Sequence, residues 1–230
     1  LAATKKNGKI ETITANRFLI AVGGRPSYLD VPGAEECCIT SDDVFSLPEA
    51  PGKTLCVGAS YISLETAGFL TALGYDTTVA IRSIPLRGFD IEIADKIVGY
   101  MERHGTKFMR DSQPCSFEKS PGGKIAVKVK NTVFGNEFET EFDTVILAVG
   151  RHAATDGLNL GAAGVKVNPN NGKIPCVDEV TNVPHIFAVG DVLDTRQELT
   201  PVAIKAGINL VNRIFSGVVI KMNYDLVPTT

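Results

Sequence analysis

Short apolar segments that end in glycine recur along the chain and predict a parallel β-sheet. Three of them end in Val-Gly, at Val22-Gly23, Val149-Gly150 and Val189-Gly190. Unbroken apolar runs of this length are typical of strands that are buried on both faces. Ligands of open α/β sheets bind at the carboxyl ends of the strands, so we expect ligand sites beside these glycines.

The middle of the chain has the pattern of a strand, a helix and a second strand. Residues 53–57 and 77–81 are strand-like, and residues 60–73 form a helical pattern that Gly74 ends. Such a unit predicts parallel strands with a right-handed crossover. A second helix is predicted over residues 90–103, followed by a strand at 106–109. We expect its buried face to consist of Ile93, Ile97, Val98 and Met101.

The remaining segments predict simpler elements. A hairpin turn at Gly8 precedes a buried strand at 17–22, and Ser41 is predicted to cap a short helical turn. Alternating residues at 125–130 and 137–142, with a turn at 121–123, predict an antiparallel β-meander inserted in the α/β domain. A last helix is predicted over residues 201–215.

Composition narrows the class of protein. The chain has 230 residues, of which 44% are hydrophobic, and a net charge of −3, so neither nucleic acid nor a membrane surface is an expected partner. No apolar run approaches the roughly 18–20 residues of a membrane span. The five cysteines form no CxxC or CxxxxC pair, which favours reduced thiols over a disulfide framework, and adjacent cysteines rarely have bridging geometry. No metal site is predicted. The start, which has neither Met nor a targeting pattern, is expected to lie inside a longer protein.

The segment from Gly58 to Ser63 has the placement of a dinucleotide-binding glycine loop. It follows a strand and opens a helix, where a first glycine permits the tight turn and backbone N–H groups can face a pyrophosphate. Ser60 and Ser63 replace the second and third glycines of the GxGxxG pattern, and serine is small enough to keep phosphate approach open. The alternative is a tight turn that binds no ligand.

Two arginines lie where the second strand of this unit ends. An acidic residue at this place, about 20 residues after the glycine loop, would bind the ribose 2′-hydroxyl of NAD. This chain has Arg82 and, a few residues later, Arg87. Arginine can bind a 2′-phosphate through two hydrogen bonds, so NADPH is favoured over NADH. The alternative is a pair of solvated surface arginines.

Asp191 follows the strand at 185–189 and precedes the last helix. A carboxylate at such a strand end needs a partner if it is buried. Asp191 could therefore cap the following loop or accept hydrogen bonds from the hydroxyls of a sugar alcohol.

At this point the sequence resembles a known family, the large pyridine nucleotide–disulfide oxidoreductases. Residues 58–70, 82–90 and 197–203 (GASYISLETAGFL, RSIPLRGFD and QELTPVA) most resemble its high-molecular-weight thioredoxin reductases. Residues 149–151 and 181–191 are similar to a wider group that includes glutathione and lipoamide-type enzymes.

The resemblance implies an α/β protein with Rossmann-like FAD- and NAD(P)-binding domains of three-layer ββα architecture. Residues 1–45 would end the first half of the FAD-binding domain, and residues 46–165 would be the NADPH-binding domain. Residues 166–220 would be the second half of the FAD-binding domain, and residues 221–230 would begin a dimer-interface domain.

The resemblance also implies roles for individual residues. Tyr61 would cover the nicotinamide pocket, and Glu65 would contact the nicotinamide side of the site. Asp191 would bind the flavin ribitol. The 2′-phosphate would be held by Arg82, Ser83 and Arg87, and the cofactor would run along Val149, Gly150 and Arg151. The isoalloxazine ring would lie near Leu199, Thr200 and Pro201. The remaining expected cofactor contacts are Ala21, Gly23, Gly58, Ser60, Ile62, Glu198 and Ala203.

The implied activity is transfer of hydride from NADPH through FAD to a disulfide, with thioredoxin as the expected substrate, in a cytoplasmic homodimer; a mitochondrial location stays open. No catalytic residue is expected in this chain, because the CxxxxC disulfide, the first FAD-binding glycine loop and the interface-domain histidine of the family are not in it. Two alternatives remain, a glutathione reductase-type enzyme and a nucleotide-binding flavoprotein module without disulfide chemistry. Arg82 and Arg87 disfavour the NAD-dependent lipoamide-type enzymes.

Overall fold

The computed structural model describes residues 1–228, which form two compact units. Unit 1 contains residues 1–25 and the chain from residue 152 onward, and unit 2 contains residues 26–151. The division differs from the expected boundaries after residues 45 and 165. Residues 29–38 pack into a core of unit 2, whereas Leu158, Leu160 and Val165 pack into the core of unit 1. Which cofactor each unit binds stays a prediction.

The secondary structure alternates between strands and helices. The strands are β1 (Ala2–Thr4), β2 (Ile10–Thr12), β3 (Phe18–Ile20), β4 (Gly24–Pro26), β5 (Ile39–Thr40), β6 (Thr54–Val57), β7 (Thr77–Ala80), β8 (Lys107–Met109), β9 (Ser112–Lys119), β10 (Ile125–Asn131), β11 (Glu137–Phe142), β12 (Thr144–Leu147), β13 (Arg151–Ala153) and β14 (Ile186–Ala188). The helices are α1 (Ala34–Cys37), α2 (Tyr61–Ala72), α3 (Ile91–Arg103) and α4 (Thr200–Phe215), with 3₁₀ turns at Val44–Ser46, Asp156–Leu158, Leu160–Ala163 and Gly190–Val192.

Unit 2 is built on a parallel sheet with the strand order β5-β12-β6-β7-β8. The strands β6 and β7 are joined through α2, and β7 and β8 through α3, as the sequence predicts. Strands β9, β10 and β11 form the predicted antiparallel meander.

The parallel sheet is the middle of three layers. Its side chains alternate between two faces, and each face is covered by other elements. One face, with Leu55, Val57 and Leu147, packs against Val127 and Val129 of the meander. The opposite face packs against the helices, in a core that contains Cys56, Val79, Ile146, Leu64, Leu70 and Met101. The expected ββα architecture is therefore confirmed in unit 2.

Helix α3 buries a different face from the predicted one. Its buried residues are Ala94, Val98 and Met101, whereas Ile93 is 53% and Ile97 39% exposed. The helix carries apolar residues on more than one face, and the stripe at positions 94, 98 and 101 is the one that meets the sheet side of the unit. The prediction that Ile93 and Ile97 form the buried face was wrong, and the prediction for Val98 and Met101 was correct.

Unit 1 contains the parallel pair β3 and β14, the hairpin β1–β2 and helix α4. Helix α4 buries Val202, Ala206 and Leu210 in a core with Ile186 and Ala188 of β14. The predicted strand at 17–22 is shorter and only partly buried, since Leu19 is half exposed. Among the described residues only β14 pairs with β3, so the second edge of β3 has no strand partner there.

A buried carboxylate links the end of the described chain to the core of unit 1. Glu179 is 1% exposed and accepts hydrogen bonds from Arg213 and from the hydroxyl of Tyr224. Burial and this hydrogen bond raise the pKa of Tyr224 above its ordinary value. Met222, Tyr224 and Val227 pack on the unit 1 core. The expected start of an interface domain at 221–230 stays a prediction, and its Thr229 and Thr230 lie outside the described residues.

The short 3₁₀ turn after β5 has no side-chain cap, so the predicted capping role of Ser41 was wrong. The 3₁₀ turn begins after Asp43, whose carboxylate accepts hydrogen bonds from the N–H and hydroxyl of Thr40. Ser41 does not cap it. The Asp43 carboxylate therefore holds the residues that precede the turn and not the N–H groups of the turn itself.

All five cysteines are free, as expected for reduced thiols. Cys38 and Cys56 are buried, and burial raises the pKa of each thiol to about 12. At neutral pH these two thiols are therefore un-ionised and unreactive. Among residues 1–228, no helix combines the length and the apolarity that crossing a membrane requires.

The packing of α3 predicts contrasting effects of two substitutions. Val98→Ala removes two fully buried methyl groups and should lower the free energy of unfolding by roughly 1–3 kcal/mol. Ile93→Ala, on the exposed side of the same helix, should change it by no more than about 0.5 kcal/mol. Chemical denaturation of both variants measures this difference, and equal losses would contradict the assigned orientation of α3.

Candidate functional site

A cleft of about 510 Å³ lies in unit 2 at the carboxyl ends of β6, β7 and β12. Its walls come from the glycine loop after β6 (residues 58–63) and from the arginine segment after β7 (residues 82–87). The residues after β12, the start of β9 and the loop after β4 complete the lining. The lining residues are Ser27–Asp30, Val57–Tyr61, Ala80, Arg82–Ile84, Leu86, Arg87, Phe89, Ser112–Pro114 and Ala148–Gly150.

Gly58 forms the turn at the bottom of the cleft, where only glycine fits. Its φ angle is 105°, a left-handed conformation that side chains disfavour. A Cβ atom on Gly58 would also lie 2.4 Å from the carbonyl oxygen of Ala148. The N–H of Gly58 donates to the carbonyl of Ala80 at 3.0 Å. The turn is therefore pressed against the ends of both neighbouring strands.

The two serines that replace glycines in the loop hold the start of α2. Ser60 is the N-cap, and its hydroxyl oxygen accepts from the N–H of Ser63 at 3.5 Å and donates to the carbonyl of Ala148 at 3.3 Å. The hydroxyl of buried Ser63 donates to the carbonyl of Gly58 at 2.7 Å. These bonds fix the helix N-terminus at the cleft, where further backbone N–H groups have no partner within the helix.

The arginine segment is tied to the glycine loop. The N–H of Leu86 donates to the carbonyl of Ala59 at 2.8 Å, and the guanidinium of Arg87 donates to the hydroxyl of Ser83 at 2.8 Å. Leu86 adopts a φ of 45°, so the segment folds back sharply. Arg82, Ser83 and Arg87 therefore line one wall of the cleft that begins at Gly58.

The charge of this wall is not neutralised locally. Arg82 and Arg87 are exposed, and neither forms an ion pair with a carboxylate of residues 1–228. Asp30 lines the cleft as well, without pairing with either arginine. Two uncompensated guanidinium groups beside a helix N-terminus make this side of the cleft suited to an anion.

The structure brings most of the predicted nucleotide-site residues together. Gly58, Ser60, Tyr61, Arg82, Ser83, Arg87, Val149 and Gly150 all line the cleft. Ile62, Glu65 and Arg151 are not among its lining residues, and Glu65 is exposed on α2. The individual contacts of all these residues with a cofactor stay predictions.

Several residues of the cleft were not anticipated from the sequence. Tyr28 and Asp30 belong to a segment that has the composition of an irregular loop, and Gln113 lies at the start of the meander. Burial raises the pKa of Tyr28, and the carboxylates of Asp43 and Glu35 raise it further. No local motif marks these residues, because they reach the cleft only through the packing of distant segments.

The predicted flavin-contacting residues of unit 1 lie around the start of α4. A Cβ atom on Gly190 would lie 3.3 Å from the Cβ of Ala203, so the turn that carries Asp191 packs closely on the helix. Leu199 provides no side-chain cap, and Thr200 and Pro201 are exposed at the first turn. Within residues 1–228, the carboxylate of Asp191 accepts no hydrogen bond and does not cap the 3₁₀ turn in which it lies.

The other predicted residues of unit 1 have defined local roles. Glu198 forms an ion pair with Lys173, so its carboxylate is already engaged. The carbonyl of Gly23 accepts from the N–H of Ala154 at 3.0 Å, and Ala21 is exposed beside it. Their assignment as cofactor contacts stays a prediction.

The fold and the cleft define the class of protein, a dinucleotide-binding α/β protein. The sequence profile of the pyridine nucleotide-disulphide oxidoreductases matches residues 1–207. The chain belongs to this family. It is also 48% identical over 238 aligned residues to thioredoxin reductase SEP1 of Emiliania huxleyi, an alignment that covers 99% of this chain and 47% of that protein. The chain thus spans about half the length of this curated relative.

The close approach at Gly58 predicts that alanine is poorly tolerated there. Gly58→Ala combines the left-handed strain, roughly 1–3 kcal/mol, with the collision at Ala148, and it should lower the free energy of unfolding by more than strain alone. Gly88→Ala is the matched control, since Gly88 has a φ of 99° and nothing within 4 Å of its Cβ position. Denaturation curves compare the two, and equal destabilisation would show that the Ala148 contact is unimportant.

Proposed function

We propose that the cleft of unit 2 binds NADPH. The pyrophosphate lies at the N-terminus of α2 beside Gly58 and Ser60, and the 2′-phosphate lies between Arg82 and Arg87. The observation that carries this proposal is the pair of exposed arginines that line the cleft without a carboxylate partner among the described residues. A 2′-phosphate supplies the missing negative charge, and Ser83 adds a hydroxyl next to it.

The same wall argues against NADH as the preferred cofactor. NAD-specific sites place a carboxylate at the end of the second strand, where it accepts hydrogen bonds from the ribose. The corresponding end of β7 carries Ile81 and Arg82 instead. Tyr61 lines the cleft and is 46% exposed. In this proposal it would cover the nicotinamide end of the cofactor.

We propose that unit 1 contributes to an FAD site. The unpaired carboxylate of Asp191 next to the uncapped first turn of α4 fits a ligand that offers hydroxyl donors and a ring that gains negative charge. Bound there, FAD would supply the chemistry of hydride acceptance and two-electron transfer. The residues of this chain would hold it in place, with Asp191 on the ribitol and Thr200 and Pro201 near the ring.

For the whole protein we propose an NADPH-dependent flavoprotein disulfide reductase that acts on thioredoxin. Family membership supports the disulfide reductase chemistry, and the name of the Emiliania huxleyi relative supports thioredoxin as the substrate. A homodimer and a cytoplasmic location are part of the proposal, with a mitochondrial location as the alternative, since five free cysteines suit any reducing compartment. This sequence contains no CxxxxC pair, so the proposed reductase would need a redox-active disulfide from residues that are not in it.

The alternatives differ in the disulfide that the protein would reduce. A glutathione reductase-type enzyme would oxidise NADPH with glutathione disulfide rather than with thioredoxin. A nucleotide-binding module without disulfide chemistry would oxidise it with neither. Assaying the full-length protein with both disulfides separates the three cases, and a lack of activity in a protein that holds FAD and binds NADPH would contradict the reductase proposal.

The NADPH site predicts a selective loss of affinity in an arginine variant. Arg82→Ala/Arg87→Ala removes two charge-assisted contacts and should weaken NADPH binding by roughly 10–100-fold, while NADH binding changes little. Titration calorimetry with both nucleotides measures the effect.

A control variant separates this loss from the general change in charge. Arg103→Ala/Lys119→Ala removes two exposed cations that do not line the cleft, so it should leave NADPH binding unchanged. If NADH bound the unaltered chain as tightly as NADPH, the role of Arg82 and Arg87 would be wrong.

A further inference from the structure

The turn between β10 and β11 reaches the arginine segment from a distant part of the chain. The hydroxyl of Thr132 donates a hydrogen bond to the carbonyl of Arg82 at 3.1 Å. The backbone N–H of Thr132 donates to the carbonyl of Asp111 at 2.7 Å. Thr132 therefore connects the meander both to Arg82 and to the segment that leads into β9.

Arg82 is the first residue beyond the backbone hydrogen bonds that extend β7. The N–H of Ile81 donates to the carbonyl of Met109 at 2.8 Å, and the carbonyl of Ile81 accepts from the N–H of Ser112 at 2.9 Å. Arg82 is the next residue, and its carbonyl is bonded to the Thr132 side chain. The hydroxyl of Thr132 thus adds one more hydrogen bond to this backbone, at the residue from which the Arg82 side chain extends.

The turn that presents Thr132 is itself well ordered by hydrogen bonds. The side-chain oxygen of Asn131 accepts from the N–H groups of Val133 and Phe134, at 3.0 and 2.8 Å. The N–H of Gly135 donates to the carbonyl of Asn131 at 2.9 Å. Thr132 is consequently a fixed donor and not a side chain on a loose loop.

We propose that Thr132 is a positioning residue that sets the preference of the cleft for a 2′-phosphate, by fixing the backbone from which the Arg82 side chain extends. The proposal rests on the proposed NADPH site and adds a determinant that does not touch the cofactor. Arg87 is oriented by its bond to Ser83, whereas the Arg82 guanidinium has no such bond to the described residues. Its position depends on its backbone, and holding a long side chain near one geometry reduces the entropy lost on binding.

The test compares two ligands that differ only in the 2′-phosphate. Adenosine 2′,5′-bisphosphate and adenosine 5′-monophosphate are titrated into the chain and into Thr132→Val, which keeps the side-chain shape but lacks the donor. We expect the variant to bind the bisphosphate roughly 3- to 10-fold more weakly, the effect of one neutral hydrogen bond, with the affinity for the monophosphate unchanged. Thr132→Ser keeps a hydroxyl donor, so it should bind the bisphosphate as tightly as the unaltered chain does.

A matched control lies in the other turn of the meander. Ser120→Ala removes a hydroxyl that donates to the carbonyl of Lys124 at 3.2 Å, away from the cleft, and should leave both affinities unchanged. Equal weakening of both ligands by Thr132→Val, no change at all, or failure of Thr132→Ser to restore binding would each overturn the proposal. If the unaltered chain did not prefer the bisphosphate, the NADPH assignment would fall as well. If it did and Thr132→Val kept the full preference, only the role of Thr132 would fall.

Discussion

The contact between the Gly58 turn and the end of β12 determines how the cleft of unit 2 is built. The turn lies so close to the carbonyl of Ala148 that a Cβ atom would approach it to 2.4 Å. Because of this approach, Ser60 can reach the same carbonyl while capping α2. The N-terminus of α2 is thereby fixed at the edge where three parallel strands end. A wider turn would move the helix N-terminus away from that edge and would separate the backbone N–H groups from the arginines.

The arginine wall depends on the same contact through a chain of hydrogen bonds. Ala59, next to the glycine, accepts from Leu86, and this bond folds the segment after β7 back toward the loop. Thr132 holds the beginning of the segment at Arg82. Positive charge is therefore placed by backbone bonds at both ends of the segment and not by ion pairs. Neither guanidinium group is paired with a carboxylate of the described residues, so a phosphate can bind both without first displacing one.

Local features of the sequence were sufficient for the parts of the fold that depend on neighbouring residues. The glycine turn and the alternating strands of the meander were predicted, because their signals lie within a few residues. Ile93 and Ile97 were misassigned because apolar periodicity does not reveal which of two stripes meets the sheet. Tyr28 and Thr132 were missed because they approach the cleft from segments separated by dozens of residues. Such contacts follow from tertiary packing, which no local pattern encodes.

A crystal structure of the chain with bound NADPH would show directly whether the cleft of unit 2 holds the cofactor through its arginine wall. We expect the 2′-phosphate within hydrogen-bonding distance of the guanidinium groups of Arg82 and Arg87, with the pyrophosphate at the N-terminus of α2 beside Gly58. Arg82 should keep its backbone bond to Thr132 in the complex. A nucleotide bound outside this cleft, or one in the cleft whose 2′-phosphate contacts neither arginine, would show that Arg82 and Arg87 do not form an NADPH site.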